Sequence, residues 1–255
     1  MPLILPPRLT ASARMLGDAA RRRGLRTVHL PDREVPDGLR DGRAYLHAGP
    51  AFADAVAPAL GIAPLEAPAD WLAHLPAAFV HREIRAMPIR EAYGLRRPAF
   101  VKSPNDKSIP ALVYTDGSRL PGPDAVDPET IVLVSDVVAF EAEYRLHLLD
   151  GQVHTGSRYA VAGRLDLAPL SASAHAFGSE LLAAARDTLP SAIVVDIGVI
   201  GPGRWAVVEA NAAWASGCYA CDPDRALDVV LRAAGPAEHL SQRDSRFVRR
   251  VFRPA

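Results

Sequence analysis

The segment Val194-Val195-Asp196-Ile197-Gly198-Val199-Ile200-Gly201-Pro202-Gly203-Arg204-Trp205-Ala206-Val207-Val208-Glu209-Ala210-Asn211 carries two apolar, β-branched runs separated by a break rich in glycine and proline. Such runs predict strands over 193–199 and 205–211, joined as a hairpin through Ile200-Gly201-Pro202-Gly203-Arg204. Successive strand residues point to opposite faces, so Glu209 and Asn211 share one face while Val208 and Ala210 turn to the core. A loop centred between Pro202 and Gly203 sets Asp196 directly opposite Glu209. Two carboxylates and a carboxamide then face one side, the hard oxygen set suited to a magnesium ion bearing nucleotide phosphates. A solvated strand face would explain Glu209 and Asn211 separately; the register that brings Asp196 to them favours the metal.

Around this hairpin the composition is that of a globular chain. Its 255 residues can bury a substantial core, and 49% are hydrophobic against 23% charged. With 29 basic and 29 acidic side chains, bulk charge argues for neither nucleic acid nor an anionic membrane as a partner, so any anion must be bound locally. The start, Met1-Pro2-Leu3-Ile4-Leu5-Pro6-Pro7-Arg8, is too short an apolar run for a signal peptide or a membrane span, which predicts a cytoplasmic protein. The two cysteines, Cys218 and Cys221, form one C-x-x-C without a second pair and read as reduced, non-essential thiols. The eight histidines lack zinc-hydrolase spacing, and no G-x-S-x-G elbow is present.

The pattern predicts a small α/β layer first: strand 3–5, helix 11–23, strands 27–30 and 44–47, helix 52–60. Pro64, Pro68 and Pro76 punctuate a connection, placing a boundary near Pro76. A helix kinked at Pro88 is expected over 81–92, then strands 99–102 and 111–115 around a polar loop, and a strand over 131–138. Asp150-Gly151 is a strong two-residue turn signal joining arms 142–149 and 152–160. Counted straight from that turn, Glu143 faces Arg158, Arg145 faces Gly156, and His147 faces His154. Glu143, Arg145 and Arg158 would then share a polar face, with Gly156 leaving room for a substrate group beside Arg145, and the two histidines structural. Helices are expected over 172–189 and 224–234, and residues 245–255 as a basic, loosely held tail.

In this order the pieces resemble an ATP-grasp enzyme, over most of residues 75–220, and the D…E-x-N hairpin is similar to that of D-alanine-D-alanine ligases. The resemblance implies an α/β (α+β) fold with two lobes clasping ATP: a pre-ATP-grasp domain over 1–76, a small lobe over 77–137 and a large lobe over 138–255. It implies ATP and Mg2+ as cofactors, with metal ligands Asp196, Glu209 and Asn211. Phe100-Val101-Lys102-Ser103-Pro104 resembles the strand whose lysine contacts the phosphates. Val134-Ser135-Asp136-Val137-Val138 resembles the adenine-holding hinge, and Glu143 matches the ribose-binding acid. With Lys107 and Glu143-Tyr144-Arg145, the chain looks closest to an ATP-grasp group marked by one arginine and two lysines. It departs from the pattern in its phosphate loop, Ser103 to Pro110, which lacks glycine, so that Lys107 would supply charge where other members use backbone N–H groups. Arg82 or Arg85 would replace an earlier lysine.

The resemblance implies a carboxylate-amine ligase. An acid attacks the γ-phosphate of ATP, and an amine displaces the phosphate from the acyl phosphate. Lys102, Lys107, Arg145, Arg158 and Arg82 would neutralise charge during transfer. A phosphotransferase, or a nucleotide-binding protein without turnover, stand as alternatives. Expected partners are an amino acid, peptide or related small acid together with an amine. Selectivity is expected in the N-terminal domain and in loops 157–166 and 212–220; a homodimer is left open.

Overall fold

A computed structural model describes residues 1–105 and 108–250. Three sheets carry the architecture. The first has the order β2-β1-β3, all parallel, from β1 (Leu3–Leu5), β2 (Thr27–His29) and β3 (Tyr45–Leu46), with helix α1 (Ala11–Arg22) between β1 and β2. Thr10 caps α1, its hydroxyl accepting from the Ala13 N–H, and Leu16, Ala19 and Ala20 are buried from the helix. Helix α2 (Pro50–Val56) follows, opened by a proline whose missing N–H costs nothing there.

The second sheet corrects an expectation. Instead of one kinked helix over 81–92, the chain forms a short helix α3 (Ala77–Val80), strand β4 (Ile84–Pro88) and a single turn α4 (Ile89–Ala92). Pro88 ends β4, which is an edge strand, where a residue without an N–H breaks no ladder. Strands β5 (Ala99–Lys102), β6 (Leu112–Tyr114) and β7 (Ile131–Ser135) complete the order β4-β7-β5-β6. The strand expected to reach 138 stops at Ser135.

The third sheet is antiparallel, in the order β10-β9-β8-β11-β12: β8 (Ala142–Leu149), β9 (Gln152–Val161), β10 (Arg164–Pro169), β11 (Ala192–Ile200) and β12 (Arg204–Asn211). Asp150 and Gly151 both take positive φ (49° and 79°), the conformation of a two-residue hairpin turn. Residues 157–166 are not a loop, because Ala162 and Gly163 (φ 47° and 71°) make a second such turn and start β10. One face of this sheet, with Tyr144, Leu146, Leu148, Val195 and Ile197, buries against helix α5 (Ala172–Ala185) and Trp71. On the other face Ala192 and Val194 pack with Trp214, helix α6 (Pro223–Ala233) and the first sheet.

Residues 245–250 are not a loose tail, and 251–255 lie outside the described residues. The Arg249 guanidinium donates to both Asp54 carboxylate oxygens (2.7 and 3.0 Å) and to Glu66 (2.5 Å), its N–H donates to Pro64 O (2.8 Å), and Val248 bridges Leu65. No helix among the described residues is long and apolar enough to cross a membrane.

Candidate active site

Asp196 and Glu209 lie opposite each other on β11 and β12, as the hairpin register predicts. The route differs. Near the turn Ile197 pairs with Val207, and a bulge between Asp196 and Ile197 restores the Asp196–Glu209 pairing. Val207, not Val208, is therefore the fully buried residue, and Val208 is the extra one. Asn211 ties the set together: its amide donates to Glu209 Oε1 (2.8 Å) and to Asp196 Oδ2 (3.2 Å).

Asp196 is 1% exposed, and a buried carboxylate needs a partner. Arg145 on β8 supplies it with a two-point fork, Nε to Oδ1 at 2.8 Å and Nη2 to Oδ2 at 2.6 Å. Burial opposes the charge on both; the pairing outweighs it on Arg145, which stays firmly protonated. Glu209 is ion-paired to Lys102, which ends β5 of the second sheet. Burial opposes ionisation of Glu209, but the Lys102 charge and hydrogen bonds from Lys102 and Asn211 hold its pKa below the ordinary carboxylate value.

The hairpin of β8 and β9 departs from a straight count. Register shifts after His147 and after Glu143 pair Arg145 with Ser157, Leu146 with Gly156, His147 with Thr155, Tyr144 with Arg158 and Glu143 with Ala160. Arg158 consequently leaves the polar face, sits beside Tyr144 on the opposite one and pairs with Asp166. Gly156 makes no room beside Arg145: a Cβ there would stand 2.7 Å from Arg145 O and 3.0 Å from Leu146 Cδ2, so its role is close backbone packing. His154 instead bonds Asp228 at 3.0 Å.

Tyr159 takes the place expected for Arg158. Its hydroxyl donates to Glu143 Oε2 (2.8 Å), and its ring stacks on Tyr219 at 4.9 Å between centroids. Arg145 lies over both rings, at 5.6 and 5.0 Å. Burial raises the Glu143 pKa, the Tyr159 bond lowers it, and the Asp196 and Glu209 charges add to the rise. Sequence reasoning misses both tyrosines, since the signal that finds Tyr159 is a bulge.

Arg82 donates to Val80 O (2.9 Å) and Val208 O (3.3 Å) and lies over the Phe140 ring. Burial lowers its pKa to about 10, and among the described residues it forms no salt bridge with a carboxylate. Arg85 is exposed and pairs with Glu83. At the hinge, Ser135 is buried and its hydroxyl donates to Asp136 O (2.7 Å), while the Asp136 carboxylate accepts from the Glu83 N–H (3.0 Å). Val137 is exposed and Val138 half-buried. Lys107 lies outside the described residues.

A cleft of about 460 Å³ opens where the three sheets' segments meet. Lys102, Ser103 and Asn105 come from the second sheet and its loop, Glu209 and Asn211 from the third, and Pro50 and Glu66 from the N-terminal part. Another cavity, beside α6 and Asp244, contains none of these site residues. The Asn211 amide nitrogen draws Asp196 and Glu209 together, and two carboxylates with a carboxamide are the donor types that a hard divalent cation takes.

The ATP-grasp domain family described as family 2 of the R-two-K clade, the group marked by one arginine and two lysines, matches residues 79–229. No curated protein matches the chain in sequence. Among solved structures, the D-cycloserine synthetase DcsG is similar with a TM-score of 0.57 and 16% identity, over 89% of this chain and 97% of that one. A D-alanine–D-alanine ligase from Bacillus anthracis is similar with a TM-score of 0.52 and 14% identity, over 91% and 96%. These likenesses are likenesses of fold.

Proposed function

This chain belongs to the ATP-grasp domains of the one-arginine, two-lysine clade, and we propose that it is an ATP-dependent ligase joining a carboxylate to an amine through an acyl phosphate. The carrying observation is the meeting of Lys102 from one sheet with Glu209 and Asn211 from another at one cleft, with the buried Asp196 bonded to Asn211 behind them. Two sheets that present a cation and a set of hard oxygens to the same space can hold a triphosphate between them. The protein matches in fold a ligase and a synthetase, which supports reading the chemistry as bond formation. We divide the chain for this purpose into a pre-ATP-grasp region, 1–76, and two lobes, 77–137 and 138–255.

Asp196, Glu209 and Asn211 would hold Mg2+, which when bound neutralises phosphate charge. The remaining work falls to side chains. Lys102, and Lys107 from the sequence pattern, would contact phosphate oxygens as point charges. Arg82 is a half-buried cation without a carboxylate partner among the described residues, so an incoming phosphate would satisfy it. Glu143, fixed by Tyr159, would accept from the ribose hydroxyls, and the hinge segment Ser135 to Val138 would offer backbone groups to adenine. Arg145 is committed to Asp196 and covered by the Tyr159 and Tyr219 rings, which makes it the residue that orients the carboxylate. Phosphoryl transfer needs positioning and charge neutralisation more than covalent help, and this inventory supplies both.

The test is ADP release with Mg2+ and ATP, screened across amino acids and short peptides as acids and amines, with mass spectrometry of any hit. Amine-dependent release with a condensed product is expected. Release tied to a phosphorylated product without an amine points to a phosphotransferase. ATP binding without release across the screen would leave a nucleotide-holding protein and sink the ligase reading.

A further inference from the structure

On the same face of the large sheet, one step beyond Arg145, His147 is 0% exposed, and neither of its ring nitrogens has a hydrogen-bond partner of ordinary geometry. The Cys218 thiol interacts with it, but a thiol is a weak partner for a buried imidazole. The C-x-x-C thiols of Cys218 and Cys221 are free, and both are buried. The donor atoms of His147, Cys218 and Cys221 all lie within 4.8 Å of one another. In a tetrahedral zinc site with bonds of about 2.0 to 2.3 Å, ligand atoms stand roughly 3.4 to 3.8 Å apart, so only a small inward closure separates this cluster from a coordination sphere.

We propose that His147, Cys218 and Cys221 form a buried site for a thiophilic divalent cation of the zinc type, separate from the carboxylate site. Nitrogen and thiolate sulfur are the wrong donors for magnesium and the right ones for zinc, so the two sites sort cations by chemistry. Binding releases the thiol protons to solvent and gives one imidazole nitrogen a strong partner. A second buried imidazole, His47, also has an unpartnered Nδ1, and burial together with the neighbouring His147 keeps it neutral, its pKa lowered to about 4. The cluster supplies three protein donors, so the fourth position falls to a non-protein ligand.

The site bears on the active site through one loop. The Gly217 carbonyl accepts from Arg145 Nη1 (3.4 Å), the Cys218 N–H donates to Ser12 Oγ on α1 (2.9 Å), and Tyr219, with φ of 52°, stacks on Tyr159. A cation clasped between His147 and the two cysteines fixes the loop that carries Tyr219 beside Arg145. The inference does not depend on the ligase reading, because its readout is metal, not turnover.

The experiment measures zinc in the full chain purified without chelator, then replaces it with Co2+ and records the absorption spectrum. About one zinc per chain is expected, with a thiolate-to-cobalt charge-transfer band and the d–d bands of tetrahedral cobalt. Cys221→Ser should lose the band. Glu209→Gln should keep it, which separates this site from the carboxylate one. Wild-type protein whose two thiols titrate as reduced, yet which holds no zinc and gives no band, overturns the proposal even if Cys221→Ser fails to fold. So does a Cys218–Cys221 disulfide in freshly purified protein, which would make the pair a redox couple.

Discussion

Lys102 and Glu209 form an ion pair that joins two sheets: Lys102 ends β5 in the four-stranded sheet, and Glu209 lies on β12, the edge strand of the five-stranded one. Both are partly buried, so each charge depends on the other when the cleft holds no ligand. A phosphate and a divalent cation would offer each a new partner, the phosphate for Lys102 and the cation for Glu209. The pair is therefore placed to exchange partners on substrate binding.

Removing a ligand oxygen should stop chemistry without unfolding the chain. Glu209→Gln and Asn211→Ala are each expected to lower kcat for Mg2+-dependent ADP release by about 10² or more, with a cooperative thermal unfolding transition retained. Full activity in either variant would refute the metal assignment.

Lys102→Ala should weaken ATP binding by about tenfold in calorimetry, since a charge-assisted contact to phosphate is worth roughly 1.5 kcal/mol or more. Lys107→Ala should mainly slow turnover. Wild-type affinity and rate in both would remove the lysines from the mechanism.

Arg145→Met strips the fork from a carboxylate that is 1% exposed. A loss of about 3 to 5 kcal/mol is expected in urea unfolding, and Asp196→Asn in the same chain should recover part of it. Additive losses in the double variant would mean that the two side chains are not energetically coupled.

Arg82→Met should have opposite effects on stability and binding. It removes a half-buried charge that forms no carboxylate salt bridge among the described residues, so Tm should hold or rise while ATP affinity falls by about tenfold. Unchanged ATP affinity would take Arg82 out of the phosphate site.

Acid should weaken the unliganded protein at Glu209. Its folded pKa lies below the ordinary value, so the stability it contributes is present above the unfolded carboxylate pKa and lost as pH falls through the folded one. Glu143 has the reverse sign: its pKa is raised, so its contribution is present at low pH and lost as pH rises through the folded value. Glu143→Gln should therefore raise Tm at neutral pH and flatten the neutral side of the stability profile, while Glu209→Gln should flatten the acid side. Parallel profiles for the two variants would contradict both assignments.

The β11–β12 hairpin and the Asp150-Gly151 turn could be read in the chain because both rest on local rules, strand alternation and turn chemistry. The partners across β8 and β9 could not. Two register shifts move Arg158 to the far face and bring Tyr159 to Glu143, and a bulge is set by the packing of neighbouring strands rather than by its own residues. Pro88 misled for a related reason: read alone it kinks a helix, yet it sits at the end of an edge strand whose partner, β7, arrives more than forty residues later.

By itself, the sequence determined the elements whose signals are periodic or conformational, and with them the two strands that carry Asp196 and Glu209. Only the tertiary structure decided which cation meets which carboxylate, that Arg249 is locked against Asp54 and Glu66, and that His147 lies within reach of Cys218 and Cys221. Those contacts join residues far apart in the chain, and their geometry follows from how sheets pack, which no local pattern encodes.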